Sequence, residues 1–386
     1  MTRVLHLISG LSTGGTEMML YRLLRGMDRG AFPSSVVTLT KPGPVAELIR
    51  KLGVPVSSLD MLPGVPNPIA LWKLHGILRR VRPDVLQTWL YHSDLLGLIG
   101  GRLAGVPAIA WNVRCSVTDA RYASGLRGAT VRILAWLSGL PSVVVSNSAA
   151  GIDLHIRLGY RPQRWELIPN GFEVERFSPD AAARDTVRAD LGLPADTPLV
   201  GLIARHDPLK DHETFLRAAA EVALRNESVH FMLAGTRVDW SNAELGRLIQ
   251  ELDLPRRVHL LGERSDVPRL TAALDIATCS SIGEGFANVI GEAMSCAVPV
   301  VSTDTGDARI VIADTGVVVP SRRPSALAEG IMALLNMDIA ARRALGARGR
   351  ERVKAQYDLR VVARRYATLY ESLGSSAARP GAPTAQ

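Results

Sequence analysis

Two glutamates eight positions apart frame the chemically richest stretch of the sequence, Ser280-Ser281-Ile282-Gly283-Glu284-Gly285-Phe286-Ala287-Asn288-Val289-Ile290-Gly291-Glu292-Ala293-Met294. The stretch follows an apolar run with the look of a strand and opens a segment with helical spacing. Glu284 then lies at the mouth of the helix and Glu292 about two turns inside, ~12 Å further along its axis at ~1.5 Å per residue. The first N–H groups of a helix have no partner within it, and the helix dipole favours an anion there. A diphosphate at that N-terminus, with one carboxylate reaching hydroxyls on each side, has the shape of a nucleotide-sugar: sugar, diphosphate, ribose. In an arbitrary chain, two such glutamates are more simply a cap and a surface charge. Glu292 weighs against the simpler reading, because it sits among Val289, Ile290, Ala293 and Met294, where a carboxylate needs a partner.

A second segment, Gly201-Leu202-Ile203-Ala204-Arg205-His206-Asp207-Pro208-Leu209-Lys210-Asp211-His212, reads as a strand ending at Ala204 and a loop with two cations before a helix. Arg205 and Lys210 stand where a β-phosphate would need neutralising; ordinary loop charge explains them equally well in isolation. A third segment, Gly14-Gly15-Thr16-Glu17, follows the first strand. Its glycines let backbone approach a ligand closely, or simply make a tight turn. The glycine patterns of a dinucleotide site and of a P-loop are both absent.

These segments need elements to hold them. At 386 residues the chain has room for two or three domains at ~150 residues each. Short apolar runs alternate with longer segments of 3.6 periodicity: strands at Arg3–Ile8, Ser35–Thr40, Val85–Thr88, Ala108–Asn112 and Ser142–Ser146, with helices between them. The pattern repeats after residue 198, with strands at Leu199–Ala204, His230–Ala234, Val258–Leu261, Ile276–Cys279 and Pro299–Ser302, a helix over Phe286–Ser295, and helices dominating from Ser325 to Leu373. Between the halves, Pro169–Pro198 has the composition of a linker around one short helical piece. The expectation is two doubly wound α/β domains, 1–175 and 176–357, then a helix over 358–373 and a flexible tail over 374–386. In such sheets ligands bind at the carboxyl ends of the strands.

Composition removes several classes. Apolar residues make up 47 % and charged residues 21 %, so the chain can pack a core. No apolar run reaches the length of a membrane span, and Met1–Ile8 reads as a buried strand rather than a signal peptide. Cys115, Cys279 and Cys296 form no CxxC pair and no metal-ligand spacing, which argues against a disulfide scaffold or structural zinc and places the chain in a reducing cytoplasm. Net charge is +8, and residues 1–180 hold all of it: 20 Lys and Arg against 12 Asp and Glu, with 25 of each in the remainder. A basic half suits an anionic partner, or is a solvated arginine-rich surface. Nucleic acid is disfavoured, because aromatics are only 5 % and none interleaves with the basic residues in a recognition motif.

With these residues quoted, a resemblance is plain. Glu284 to Glu292 resembles the Glu–seven residues–Glu motif of family 4 retaining glycosyltransferases. The Arg205…Lys210 loop, Pro169-Asn170-Gly171…Phe177 and Gly14-Gly15 follow in that family's order, from about Arg3 to Leu373. The resemblance implies a GT-B fold, two Rossmann-like domains facing across a cleft, with the acceptor mainly on the first, the donor mainly on the second, and a last helix crossing back to the first. It implies no divalent metal and no cofactor. Arg205 and Lys210 would neutralise the leaving diphosphate, Glu284 would bind donor-sugar hydroxyls and Glu292 the ribose. Phe286, Ala287 and Asn288 would present N–H groups at the helix start, and Gly14 and Gly15 would contact the donor. The histidine that many members carry after the strand that Ala108–Asn112 resembles has no counterpart in Trp111-Asn112-Val113-Arg114-Cys115-Ser116, which leaves Arg114 as the candidate on the donor-sugar side. The usual glycine pair near the donor is reduced to Gly306 in Thr305-Gly306-Asp307-Ala308-Arg309.

The expected activity is therefore transfer of a sugar from a nucleoside diphosphate, UDP first among them, to a glycan or lipid-linked acceptor in cell-surface polysaccharide synthesis. A nucleotide-sugar epimerase or phosphorylase on the same fold, or a binder without turnover, are the competitors. Arg121–Leu140 reads as a basic amphipathic helix with Leu126, Ile133, Leu137 and Leu140 on one arc, Arg121 and Arg132 opposite and Trp136 at the border. It would either lie on a lipid surface, giving peripheral attachment, or pack on the sheet with its arginines in water.

Overall fold

The computed structural model describes residues 1–62, 67–114 and 125–377. Cys115, Ser116, Arg121 and the expected tail beyond Ala377 lie outside the described residues, and Leu126 and Arg127 are described in backbone only. The chain divides into two compact units: Met1–Gly171 with the segment from Leu359 onward, and Phe172–Asp358.

The first unit is a seven-stranded parallel sheet of β1 (Val4–Ile8), β2 (Ser34–Thr38), β3 (Val56–Ser58), β4 (Val85–Trp89), β5 (Ala108–Val113), β6 (Val143–Ser146) and β7 (Trp165–Leu167), in the order β3-β2-β1-β4-β5-β6-β7. Every residue of β1, β4, β5 and β6 is buried, as a sheet covered on both faces requires. The helices Gly15–Gly26, Pro44–Lys51 and Leu359–Ala377 cover one face through Leu20, Leu23, Ile49, Tyr366 and Tyr370. The helices Pro68–Val81, Tyr91–Ala104 and Gly125–Leu137 cover the other through Leu74, Leu78, Leu98 and Leu134.

The second unit repeats the plan with β8 (Leu199–Ile203), β9 (His230–Ala234), β10 (Val258–Leu260), β11 (Ile276–Cys279), β12 (Val300–Thr303) and β13 (Gly316–Val319), all parallel, in the order β10-β9-β8-β11-β12-β13. Both sheets are thus doubly wound. Their strand order reverses between β1 and β4 in one and between β8 and β11 in the other, and the carboxyl ends of those pairs are where such folds place ligands.

The linker expected over 169–198 is not a single element. The units divide after Gly171, and Ala181–Asp190 is a helix of the second unit, packed on the helix Val267–Ala272. The last helix runs to Ala377, so residues 374–377 are helical rather than tail. The edge strands β3 and β7, three residues each, were not expected from the sequence, nor were β13 and the helix Ala149–Arg157. Among the described residues, no helix is long and apolar enough to cross a membrane.

Candidate active site

The site of the second unit is built where the chain leaves β8 and β11. The loop after β8 carries Arg205 and runs into a short 3-10 turn, Pro208–Lys210, whose start is capped by Asp207 accepting from the Leu209 N–H at 2.9 Å. The loop after β11 is clipped to it: Ile282 N–H donates to the Leu209 carbonyl at 2.9 Å and Ser280 Oγ to the Lys210 carbonyl at 2.8 Å. From β12, Thr303 Oγ1 donates to the Ser281 carbonyl at 2.6 Å. Two switch-point loops are thereby held in one register by backbone and hydroxyl contacts.

The charged groups meet on that frame. Lys210 Nζ pairs with Glu284 Oε1, which also accepts from Ser281 Oγ at 2.7 Å. Both side chains keep a little exposure, 22 % and 13 %. Arg205 is open at 62 % and rests against Asp207 Oδ2, 3.3 Å from Nε and 3.2 Å from Nη2. Burial pushes the Asp207 carboxyl up; the Leu209 N–H, the Arg205 hydrogen bonds and the charges of Arg205 and Lys210 outweigh it and hold it below its usual value. His212, buried at the start of the next helix, is pushed down to about 4 by burial first and by His206, so it is neutral beside these cations.

Phe286 and Ala287 require a correction. The helix spans Asn288–Ser295 with an extended residue, Ala287, as its cap, so these two precede it. The cause is Phe286, drawn into the core between Phe172 and Tyr357 with ring centroids 6.1 and 5.9 Å away. Asn288 opens the helix, and Glu292 lies one turn along it, ~6 Å by helical rise, rather than two turns. Gly291 seats this helix: a Cβ there would lie 2.1 Å from the Phe172 ring. Gly306, at φ +56°, is likewise required. A Cβ would lie 2.4 Å from the Gly285 carbonyl and 2.6 Å from that of Glu284, so the single remaining glycine is the one that lets this loop press on the Glu284 turn.

In the first unit, Gly14 caps the helix Gly15–Gly26 in an extended conformation any residue adopts, and a Cβ there would meet only the mobile end of Glu17. Neither backbone strain nor the rigid core calls for glycine there. Arg114 is built into the framework. Its guanidinium lies 5.2 Å over the Trp89 ring and donates to Asn112 Oδ1 at 3.4 Å and to Asn170 Oδ1. Burial lowers its pKa, opposed by Tyr366 and Glu17. These contacts account for Arg114 as a brace between β5, Asn170 and the C-terminal helix. Beside it, Leu90 takes φ +74° at the carboxyl end of β4, a conformation rare for a branched side chain. Its N–H is held by the Asn112 carbonyl at 3.1 Å, and the buried Asp94 is bound by Thr88 Oγ1 at 2.5 Å.

Sequence reasoning missed Ser280, Ser281, Thr303 and His212. The serine pair directly after a strand was the available signal; Thr303 carried none. Among the described residues, no group of three or more His, Cys, Asp or Glu is placed to hold a metal ion.

Two Rossmann-like units, one with a cation–carboxylate pair at the carboxyl ends of its switch-point strands, define a doubly wound α/β protein with a charged candidate site. The sequence profile described as "Glycosyl transferase 4-like domain" matches residues 14–171 and that described as "Glycosyl transferases group 1" matches 197–337. The chain is 31 % identical over 321 residues to a D-inositol 3-phosphate glycosyltransferase of Kineococcus radiotolerans, covering 76 % of this chain and 73 % of that one. It is 27 % identical over 271 residues, 67 % of each chain, to the UDP-Gal:alpha-D-GlcNAc-diphosphoundecaprenol alpha-1,3-galactosyltransferase of Escherichia coli. The Anabaena protein Alr3699/HepE, solved with UDP, superposes with a TM-score of 0.85 at 23 % identity, over 96 % of this chain and 100 % of that one. The chain belongs to the family 4 glycosyltransferases of GT-B fold.

Proposed function

We propose that this glycosyltransferase moves a sugar from a UDP-sugar to a glycan or lipid-linked acceptor of cell-surface polysaccharide synthesis, with retention at the anomeric carbon, without a metal ion, and while attached peripherally to the inner face of the cell membrane. The observation that carries the reading is the Lys210–Glu284 pair on the clipped loops of β8 and β11, beside the start of the Asn288–Ser295 helix. The names of relatives support the donor and acceptor classes: the E. coli protein is named for UDP-Gal and a diphosphoundecaprenol acceptor, and HepE was solved with UDP-glucose.

In this reading Lys210 and Arg205 carry the charge that develops on the departing diphosphate, and the first turn of the helix adds backbone N–H groups. Such donors act where charge appears in the transition state and so lower the barrier rather than only bind. Glu284 holds donor-sugar hydroxyls and Glu292 the ribose. The bond from the anomeric carbon to the diphosphate oxygen breaks as the acceptor oxygen bonds to the same face, and the acceptor proton passes to the departing oxygen. No side-chain nucleophile takes part. The turn at Gly14–Gly15 offers bare backbone to a ligand.

The test is incubation with a panel of nucleotide-sugars, scoring UDP release with and without acceptor and the anomeric configuration of the product by proton NMR. Release with a retained configuration, unchanged by EDTA, is expected. Binding of UDP with no turnover on any donor would leave a binding protein; loss of activity on chelation, restored by Mg²⁺ or Mn²⁺, would return the charge-neutralising role to a metal.

A further inference from the structure

The outer side of the first unit's second helical layer is apolar where a protein surface is ordinarily polar. The helices Pro68–Val81, Tyr91–Ala104 and Gly125–Leu137 already bury Leu74, Leu78, Leu98, Val131 and Leu134 against the sheet. A helix of that kind should turn charged and polar residues outward. Here the outward side carries Ile69, Trp72, Ile99, Leu103, Ile133 and Trp136, with Trp72 77 % and Trp136 84 % exposed. The three helices are contiguous. Gly100 lies so close to Leu74 that a Cβ would stand 2.9 Å from it, and Arg102 Nη2 donates to the Leu140 carbonyl at 2.7 Å. Exposed large apolar side chains in the second unit are scattered instead, at Leu224, Trp240, Ile310 and Ile339 on separate segments.

Charge selects the occupant. Lys73, Arg79, Arg80, Arg102 and Arg132 are exposed on the same helices, and their only carboxylate, Asp94, is fully buried. The Gly125–Leu137 helix also departs from the arc expected of it. Val131, Leu134 and Ala135 face the core, so Arg132 shares the open side with Ile133 and Trp136. Exposed tryptophans at both outer helices, leucine and isoleucine between them, and arginine and lysine around them are the chemistry of an anionic bilayer interface. Asp60 lies 3.8 Å from Lys73 and is half exposed, so it offsets one of these cations. A second copy of this chain, docked face to face, would still bring Arg79, Arg80, Arg102 and Arg132 against their own kind, with no exposed carboxylate on the three helices to meet them.

We propose that the outer face of these three helices is a docking surface for an anionic lipid bilayer, with Trp72 and Trp136 entering the interface and Lys73, Arg80 and Arg132 meeting lipid phosphates. The proposal rests on the peripheral attachment read above and gives it a location. Its test is cosedimentation of the full chain with vesicles of phosphatidylcholine alone or mixed with phosphatidylglycerol, alongside Trp72→Ser/Trp136→Ser and Lys73→Glu/Arg80→Glu/Arg132→Glu. These positions are exposed, so unchanged melting and unchanged UDP-induced thermal shift are expected of each variant. Wild type should sediment with the anionic vesicles and be released by high salt, and each variant should bind roughly tenfold more weakly or worse. Variants that sediment like wild type would overturn this face while leaving attachment standing. No sedimentation of wild type would overturn attachment itself, with donor turnover still deciding the glycosyltransferase reading. A dimer in solution that the tryptophan variant splits would make a second copy the occupant and overturn the bilayer.

Discussion

β8 and β11 lie side by side, and each end of the pair is closed by a cation–carboxylate contact of a different kind. At the amino ends, Arg188 Nη2 meets Asp275 Oδ2 at 2.6 Å, with the side chains 1 % and 8 % exposed. Every direction there is filled: Arg188 also donates to the carbonyls of Thr197 and Ala273, and Asp275 also accepts from Arg184 and from the Leu199 N–H. At the carboxyl ends, Lys210 and Glu284 pair with more exposure, on loops tied through their backbones rather than through the charges. One pair is sealed into the fold; the other stands where a ligand can take over its partners. The same two strands thus carry a stability device at the bottom and a candidate chemical device at the top.

The largest expected effect belongs to the sealed pair. Asp275→Ala strands Arg188 in the interior and should cost about 3–5 kcal/mol, seen as a collapse of the second unit's melting transition. A loss under ~1 kcal/mol would mean the pair is dispensable. The open pair should behave the opposite way. Lys210→Ala should leave melting nearly unchanged and lower turnover by ~10²-fold or more, as loss of one transition-state donor does, and Arg205→Ala should follow it. Near-normal turnover in both variants would remove them from the chemistry. If Lys210→Ala instead unfolded the protein, the two ends of the strand pair would not differ in kind.

Next in size is the division between the two glutamates. Glu292→Gln should weaken nucleotide binding by about tenfold, ~1.4 kcal/mol, with little change in turnover at saturation. Glu284→Gln should act mainly on turnover, since in the proposed reading it touches the reacting sugar. Calorimetric titration with UDP separates them; equal UDP affinity in wild type and Glu292→Ala would end the ribose assignment.

How much of this was legible in the sequence follows from the range of each interaction. The alternation of apolar runs with helical segments is local, and it located the central strands of both sheets. Val56–Ser58 and Trp165–Leu167 escaped because three residues at a sheet edge carry no period to read. The loops holding Arg205, Lys210 and Glu284 could be marked because charged residues directly after apolar strands stand out. The pairing of Lys210 with Glu284 depends on β8 and β11 being neighbours, which strand order alone decides. Arg188 and Asp275, 87 residues apart, had no local signal, so the anchor of the Ala181–Asp190 helix was read as part of a linker. The helix start was misplaced for a similar reason: Phe286 leaves the helix to reach Phe172, a contact made across more than a hundred residues.

The smallest expected effect tests whether the Arg205–Asp207 contact belongs with the sealed pair or the open one. Arg205 is mostly exposed, and an ion pair so placed is worth about 0–1 kcal/mol. Asp207→Asn keeps a side-chain oxygen for the Leu209 N–H and removes only the charge, so melting at pH 7 should move by less than ~1 kcal/mol. The sign with pH is fixed by the direction of the shift. The folded carboxyl lies below its usual value, so its contribution is complete above the ordinary carboxylate range and is lost as pH falls through the folded pKa. The small difference between wild type and Asp207→Asn should therefore vanish in acid and return by pH 6. Turnover should stay within about fivefold, because Arg205 keeps its charge and loses only a weak tether. A stability loss on the scale of Asp275→Ala would show that the upper loops depend on their charges as the lower end does, and that the division between the two ends of the strand pair is drawn in the wrong place.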